Sequence, residues 1–186
     1  MPPPPTVVLL EGRSDVVAVA SFARRRAAGE LDGVELVDLG GVTNIGGRLE
    51  RLSIRPEVTR AAGLCDRGEV DVVVRALRRF HPDVQVMGDL AARGFFVCDR
   101  DLEDELIRGL GVPGCMSLLD RLGLGERFAT FCRQPAWQSQ PIVDQLHRFV
   151  GTTSGRKELF AGEAAGAIPL DRVPPPIADL LDYVVA

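Results

Sequence analysis

Lysine is almost absent from this chain of 186 residues, because Lys157 is the only lysine among 22 basic residues. The scarcity excludes a P-loop for nucleotide phosphates, since that motif needs a lysine followed by serine or threonine and Lys157 precedes Glu158. One lysine retained in an arginine-dominated chain indicates a position that needs a compact ammonium. An ordinary exposed lysine is the alternative interpretation.

Histidine and cysteine are scarce as well. The two histidines, His81 and His147, have no ligand-like spacing, which disfavours zinc hydrolases and Ser-His-Asp catalysis. The four cysteines form no C-x-x-C pair, and we expect them to be reduced packing residues. They are Cys65, Cys98, Cys115 and Cys132.

Long apolar runs are also missing, so nothing approaches the roughly 20 residues that a membrane helix needs. Residues 1–5 form a proline-rich segment without the features of a signal peptide, and we expect a disordered tail and a cytoplasmic protein. The net charge of −4 argues against a nucleic-acid coat protein but leaves a metal-loaded enzyme open. The arginine runs 24–26 and 78–79 are candidates for phosphate contacts or ordinary solvated helix faces.

The first half of the chain alternates strand-like and helical stretches, which predicts an α/β fold with a mostly parallel sheet flanked by helices. The predicted strands cover residues 6–10, 34–39, 61–65, 84–87 (the weakest) and 94–98. The predicted helices between them cover 14–28, with Ser14 as N-cap, 44–52 and 70–80.

After Asp99 only helical periodicity remains. It predicts helices over residues 102–110, 115–122, 125–132, 141–150, 155–164 and 176–185. We therefore expect an α/β core over residues 6–110 and a helical C-terminal extension over 111–186, packed on that core.

Three of the predicted strands end in acids. Glu11 and Gly12 follow the first strand, with Asp15 one helical turn later, while Asp66 and Asp99 follow two others. Carboxyl ends of parallel strands share one edge, where open α/β sheets bind their ligands. Oxygen ligands of this kind suit Mg²⁺ or Mn²⁺ better than zinc. Read alone, Asp66 could equally be an ordinary turn residue.

A second group of acids opens the helix predicted at 102–110. Asp101 can cap this helix, and acids in a first turn complement the helix dipole. Ligand roles for Glu103 and Glu105 are the alternative, favoured by the strand-end Asp99 just upstream. The packed face of the helix is expected to consist of Leu102, Leu106 and Leu110.

Four segments with Asp66 carry a family resemblance: residues 11–15, 37–41, 96–106 and 154–157. They resemble the Toprim domain of primases, topoisomerases and nucleases, and more closely the Toprim half of the OLD (overcoming lysogenization defect) family nucleases. The resemblance implies a Toprim, Rossmann-like fold over nearly the whole chain. A topoisomerase is disfavoured, because the only tyrosine, Tyr183, lies in the terminal helix.

The same resemblance implies a nuclease that hydrolyses DNA with two ions of Mg²⁺ or Mn²⁺. It assigns catalysis to Glu11, Asp66 and Lys157, with Lys157 neutralising charge on the phosphate. Gly12 and Arg156 would contact the substrate. The implied metal ligands are Glu11, Asp15, Asp66, Glu69, Glu103 and Glu105.

Two features depart from the family pattern. The second motif is often Asp-x-Asp, and here the third position is Gly68, so that Glu69 is the candidate replacement. OLD proteins carry an N-terminal ATPase, which is not present in this sequence, so a separate ATPase chain is an expected partner. A homodimer is left open. The alternative function, favoured by Gly68, is a catalytically weak Toprim module that binds nucleic acid or a partner ATPase.

Overall fold

The computed structural model describes residues 6–27, 33–55 and 60–185. The tail predicted over 1–5 and the last residue of the helix predicted at 14–28 lie outside these ranges. The sheet has four parallel strands in the order β2-β1-β3-β4. The strands are β1 (Thr6–Leu10), β2 (Val34–Asp38), β3 (Arg60–Asp66) and β4 (Phe95–Cys98). The predicted parallel α/β sheet is therefore confirmed.

Helices cover both faces of the sheet, and β1 is buried at all five residues as a result. Val8 and Leu10 pack into one core, while Val7 and Leu9 pack into the other, as the two-residue period of a strand requires. The three helices that connect the strands are α1 (Arg13–Ala27), α2 (Ile45–Ser53) and α3 (Val70–Arg78).

The C-terminal helices complete the layer on the α1 side of the sheet. They are α4 (Leu102–Arg121), α5 (Gly125–Cys132), α6 (Ile142–Gly151), α7 (Ser154–Ala167) and α8 (Pro175–Val185). Helix α7 packs along α1 and also contacts α4 and α6. The approach to α1 is close at Gly162, where an added Cβ would lie 2.8 Å from Val17 Cγ1. This packing carries the start of α7 to the edge where β1 ends.

The strand predicted at residues 84–87 is wrong. A single turn of 3₁₀ helix forms at Met87–Asp89, and the Asp89 carboxylate accepts hydrogen bonds from the N–H groups of Gln85 and Val86. These local bonds satisfy backbone groups that a sheet would otherwise pair.

One helix boundary also differs from prediction. Helix α1 begins at Arg13, so Ser14 is not its N-cap; the Asp15 carboxylate instead accepts the Gly12 N–H at 3.1 Å. The break expected between the helices predicted at 102–110 and 115–122 is confirmed: the backbone of α4 is non-helical at Gly111, where φ is 73° and ψ is 160°.

The cysteines are free thiols as predicted; Cys65, Cys98 and Cys115 are buried, and Cys132 is partly exposed. None of the helices in the described ranges is both long and apolar enough to cross a membrane.

Candidate active site

The carboxyl edge of the sheet brings three predicted site acids together. Leu9 of β1 pairs with Gly63 of β3, so Glu11 and Asp66 follow at nearly the same level on neighbouring strands. Asp15 lies in the first turn of α1 and is buried, whereas Glu11 and Asp66 are partly exposed. Each carboxylate acts electrostatically on at least one of the others.

Helices α4 and α7 add an ion pair to this edge. Lys157 Nζ, near the start of α7, lies 3.0 Å from Glu103 Oε2 in the first turn of α4. The Glu103 side chain is 2% exposed, and its second oxygen, Oε1, is buried with no hydrogen-bond partner. Because buried carboxylate oxygens are normally hydrogen-bonded, this atom is available to a ligand.

The acids of the edge repel one another, and their pKa values record it. Burial raises the pKa of Asp66 to about 8, with the charges of Glu11 and Asp15 adding to the effect. Burial and then the charges of Asp15 and Glu69 raise the pKa of Glu11. Burial also raises the pKa of Asp15, against the opposing charge of Lys157 and three hydrogen bonds. This acid cluster of Glu11, Asp15 and Asp66 therefore carries more negative charge than the protein around it neutralises.

Lys157 is the cation on which the charges of these acids act. Burial lowers its pKa, but the charge and hydrogen bond of Glu103, with the charges of Asp15 and Asp66, raise it above the ordinary value. The ammonium consequently stays protonated. Burial raises the pKa of Glu103, and Lys157 opposes that rise.

A divalent cation fits this set of residues chemically. Carboxylate oxygens are the ligands that Mg²⁺ and Mn²⁺ prefer, and the repulsion within the cluster is what such a cation would relieve. The free oxygen of Glu103 is a further donor. Among the described residues, however, no three acidic, histidine or cysteine side chains are already grouped closely enough to hold a metal ion. The side chains of this edge would have to draw together around a cation.

Sequence reasoning missed one residue of this region, His147 on α6. Its Nε2 lies 2.6 Å from Asp101 Oδ2. Asp101 is the N-cap of α4, as predicted, and accepts the Asp104 N–H at 2.9 Å. Burial alone would raise the pKa of Asp101, but the hydrogen bonds from His147 and Asp104, with the charge of Lys157, lower it. Because His147 is 46 residues from Asp101, no local spacing could have signalled this contact.

Two of the predicted site residues make other contacts. The carboxylate of Glu105 accepts the Asp99 N–H at 2.8 Å and pairs with Arg108 at 2.5 Å, so it is engaged away from Lys157. The Arg156 guanidinium stacks on the Phe149 ring at 4.1 Å and donates to the carbonyl of that residue.

Three further predicted residues lie directly at the carboxyl edge. Glu69 ends a short 3₁₀ turn after β3, and its charge acts on Glu11. Gly68 is exposed, and an added Cβ there would meet no atom within 4 Å. Gly12 opens the turn between β1 and α1, where its missing side chain leaves space beside Asp15.

Solved structures with the same fold include the C-terminal regions of two OLD proteins. The C-terminal region of the Xanthomonas campestris pv. campestris OLD protein matches with a TM-score of 0.69 and 22% identity, covering 96% of this chain and 91% of that one. The C-terminal region of the Burkholderia pseudomallei OLD protein matches with a TM-score of 0.68 and 21% identity, covering 96% of both chains. This chain has the Toprim fold of the OLD C-terminal region.

The resemblance to OLD proteins is thereby confirmed at the level of the fold, including the helical C-terminal extension that the OLD regions share. No family model matches the sequence, and no curated protein matches it. The roles of individual residues accordingly rest on the geometry of the site.

Proposed function

We propose that this chain is an OLD-type nuclease that hydrolyses phosphodiester bonds of DNA with Mg²⁺ or Mn²⁺. One observation carries the proposal: the carboxylates at the ends of β1 and β3 meet the Lys157–Glu103 ion pair at one edge of the sheet. The likeness of the whole fold to regions of OLD proteins supports it.

In this proposal Glu11, Asp15 and Asp66 hold the cations, with Glu69 and Glu103 as further ligands. When bound, two divalent cations would supply positive charge to the reacting phosphate and would lower the pKa of a water ligand. Glu105 stays a predicted ligand, and its contacts with Arg108 and the Asp99 N–H are both made through one oxygen, Oε1.

The chain's own residues then act on the phosphate. Glu103 holds the Lys157 ammonium at the acid cluster, where it stabilises the negative charge that develops on the phosphate oxygens. Gly12 stays a predicted substrate contact, and a Cβ added there would lie 3.8 Å from Asp15 Oδ2. Arg156, held against Phe149, stays a predicted substrate contact at the start of α7.

A second candidate function is a Toprim module that binds nucleic acid or a partner ATPase without cleaving. Gly68 favours it, since that position provides no carboxylate where the Asp-x-Asp motif has one. The lack of a ready-made metal group in the described ranges favours it too. A separate ATPase subunit and a homodimer belong to either proposal as partners.

Cleavage of supercoiled plasmid with Mg²⁺ or Mn²⁺ tests the nuclease, with Mn²⁺ binding measured by calorimetry on the same samples. We expect Glu11→Gln and Lys157→Met to abolish nicking. Glu50→Gln is the matched control, because Glu50 is an exposed acid near the end of α2, which runs away from the carboxyl edge. A wild type that binds Mn²⁺ and leaves the plasmid intact would favour the binding module.

A further inference from the structure

An arginine follows three of the four strands at the carboxyl edge, whereas β2, which ends in Asp38, is followed by Leu39 and Gly40. Arg13 comes two residues after Glu11, Arg67 follows Asp66 directly, and Arg100 follows the strand-end Asp99. Because the three strands are parallel and adjacent in the sheet, their following residues lie around the same edge. Three guanidinium groups therefore border the acid cluster.

These three side chains are exposed and paired with exposed carboxylates. Arg13 Nε lies 3.3 Å from Glu158 Oε2, and Arg100 Nη1 lies 3.1 Å from Asp144 Oδ1. Arg67 Nη2 lies 2.5 Å from Asp99 Oδ1, and Arg67 Nε also donates to the Asp99 carbonyl. The exposed fraction of the side chain is 76% for Arg13, 50% for Arg100 and 53% for Arg67. Exposed ion pairs of this kind add little to stability, so the fold does not account for them.

Other arginines of the chain have clear structural roles. Arg25 donates to the Ala165 carbonyl of α7, and Arg78 donates to the carbonyl of Val84. Arg108 pairs with Glu105, whose side chain is 3% exposed. Removing Arg25 or Arg78 would take a donor from a helix-terminal or buried carbonyl, and removing Arg108 would leave the buried Glu105 without its cation. The runs 24–26 and 78–79 are thus tied at least partly to the fold. At the carboxyl edge, Arg13 and Arg100 pair with exposed side chains, and Arg67 also donates to the backbone carbonyl of the exposed Asp99.

We propose that Arg13, Arg67 and Arg100 bind backbone phosphates of the DNA on either side of the bond to be cleaved. The inference rests on the proposed function and deepens it. A polyanion is repelled by the acid cluster unless cations flank the point of contact. A phosphate presents the same paired oxygens as a carboxylate, so each guanidinium can exchange its present partner for the backbone.

A cleft beside Arg67 adds further arginines next to the three that we propose to bind phosphates. Arg67, Arg108 and Arg172 line a cleft of about 600 Å³, together with two acids, Asp99 and Glu105. A DNA strand that passes from the acid cluster over Arg67 would continue along this cleft.

Binding of a fluorescein-labelled DNA duplex, followed by anisotropy over a range of NaCl concentrations with Ca²⁺ present, tests the proposal. Each phosphate contact contributes about 0.9 to the slope of log affinity against log salt. We therefore expect each of R13Q, R67Q and R100Q to weaken binding about five- to tenfold at 0.1 M salt, and the triple variant to flatten the slope by about 2 to 3. Gel electrophoresis of the recovered DNA checks that it stayed intact.

Arg79→Gln is the matched control. Arg79 is 57% exposed and paired with Glu50, but it follows α3, which runs from the carboxyl edge to the opposite edge of the sheet. We expect this variant to bind DNA like the wild type. Glu158→Gln should tighten binding, because it frees Arg13 from its carboxylate, whereas Glu50→Gln should not.

A triple variant with the affinity and salt slope of the wild type would overturn the proposal, as would a wild type that does not bind DNA at low salt. The plasmid assay separates this failure from failure of the nuclease. If the wild type cleaves DNA and the variants keep its salt slope, the nuclease proposal is supported and phosphate binding by the three arginines is contradicted. If binding depends on the three arginines but the protein does not cleave, phosphate binding is supported and the nuclease proposal is contradicted.

Discussion

Lys157 and Glu103 form an ion pair 3.0 Å long between the first turns of α7 and α4. Glu103 is buried, and Lys157 retains 36% of its side-chain exposure. The only lysine of the chain is therefore held by a buried acid at the edge where the strand-end carboxylates gather. An unconstrained surface lysine, the alternative left open by the sequence, does not describe this position.

Replacing Lys157 with arginine or methionine should lower the cleavage rate by about a hundredfold or more, because a preorganised charge at the reacting phosphate is lost or displaced. The measurement is single-turnover cleavage of a labelled duplex. Lys157→Met should also lower the melting temperature, since Glu103 loses its cation, and the added Glu103→Gln change should restore it. Wild-type cleavage by Lys157→Met would contradict the role of the lysine.

Asp101 and His147 allow a test that separates helix capping from electrostatics. Asp101→Asn keeps an oxygen for the Asp104 N–H, so the free energy of unfolding should stay close to the wild-type value, whereas Asp101→Ala should cost about 1 kcal/mol. Urea denaturation measures both. His147→Ala should leave the cap in place and slow cleavage, because Asp101 loses the partner that orients it beside Lys157. Equal stability of the two Asp101 variants would refute the capping role.

The acid cluster should make the metal-free protein less stable as the pH rises. The pKa of Asp66 is raised from 3.8 to about 8, so its contribution to stability is full below pH 4 and is lost as the pH approaches 8. The lowered pKa of Asp101 acts only below its ordinary value and does not offset this loss. Melting temperatures in EDTA should therefore fall less steeply between pH 5 and 8 in Asp66→Asn than in the wild type.

The control for this pH effect is Asp179→Asn, which changes an exposed aspartate on α8. It should melt with the pH dependence of the wild type. Saturating Mg²⁺ should remove much of the decline in the wild type and little of it in Asp66→Asn. A wild-type melting temperature that is flat from pH 5 to 8 in EDTA would count against the raised pKa of Asp66.

Gly68→Asp should strengthen metal binding. The position is exposed, and an added Cβ meets nothing within 4 Å, so an aspartate fits without rearrangement. The new carboxylate would provide the third position of an Asp-x-Asp motif, and we expect tighter Mn²⁺ binding by calorimetry. Gly68→Asn is the matched control, with the same size and no charge. If both variants bind Mn²⁺ like the wild type, then either Glu69 already supplies the missing carboxylate or position 68 lies outside the metal site.

The sequence alone predicted the four parallel strands of the sheet, besides a fifth strand at 84–87 that does not form, and the edge that carries the candidate site. Apolar runs separated by helical stretches require parallel strands, and parallel strands bring their carboxyl ends together. The meeting of Glu11 and Asp66 follows from this polarity, because each directly follows a buried strand. The capping role of Asp101 was predictable for a similar reason, since it depends on residues three positions apart.

Only the tertiary structure decided which side chains the helical layer contributes. Lys157 reaches Glu103, and His147 reaches Asp101, through the packing of α6 and α7 on α4, across 54 and 46 residues of chain. The helical layer also separates Glu103 from Glu105, both predicted as ligands: Glu103 pairs with Lys157 and Glu105 with Arg108. Local patterns carry the period of a helix or strand and the chemistry of its ends. They carry no information about which distant helix packs alongside, because that choice depends on the shapes of buried surfaces across the whole core.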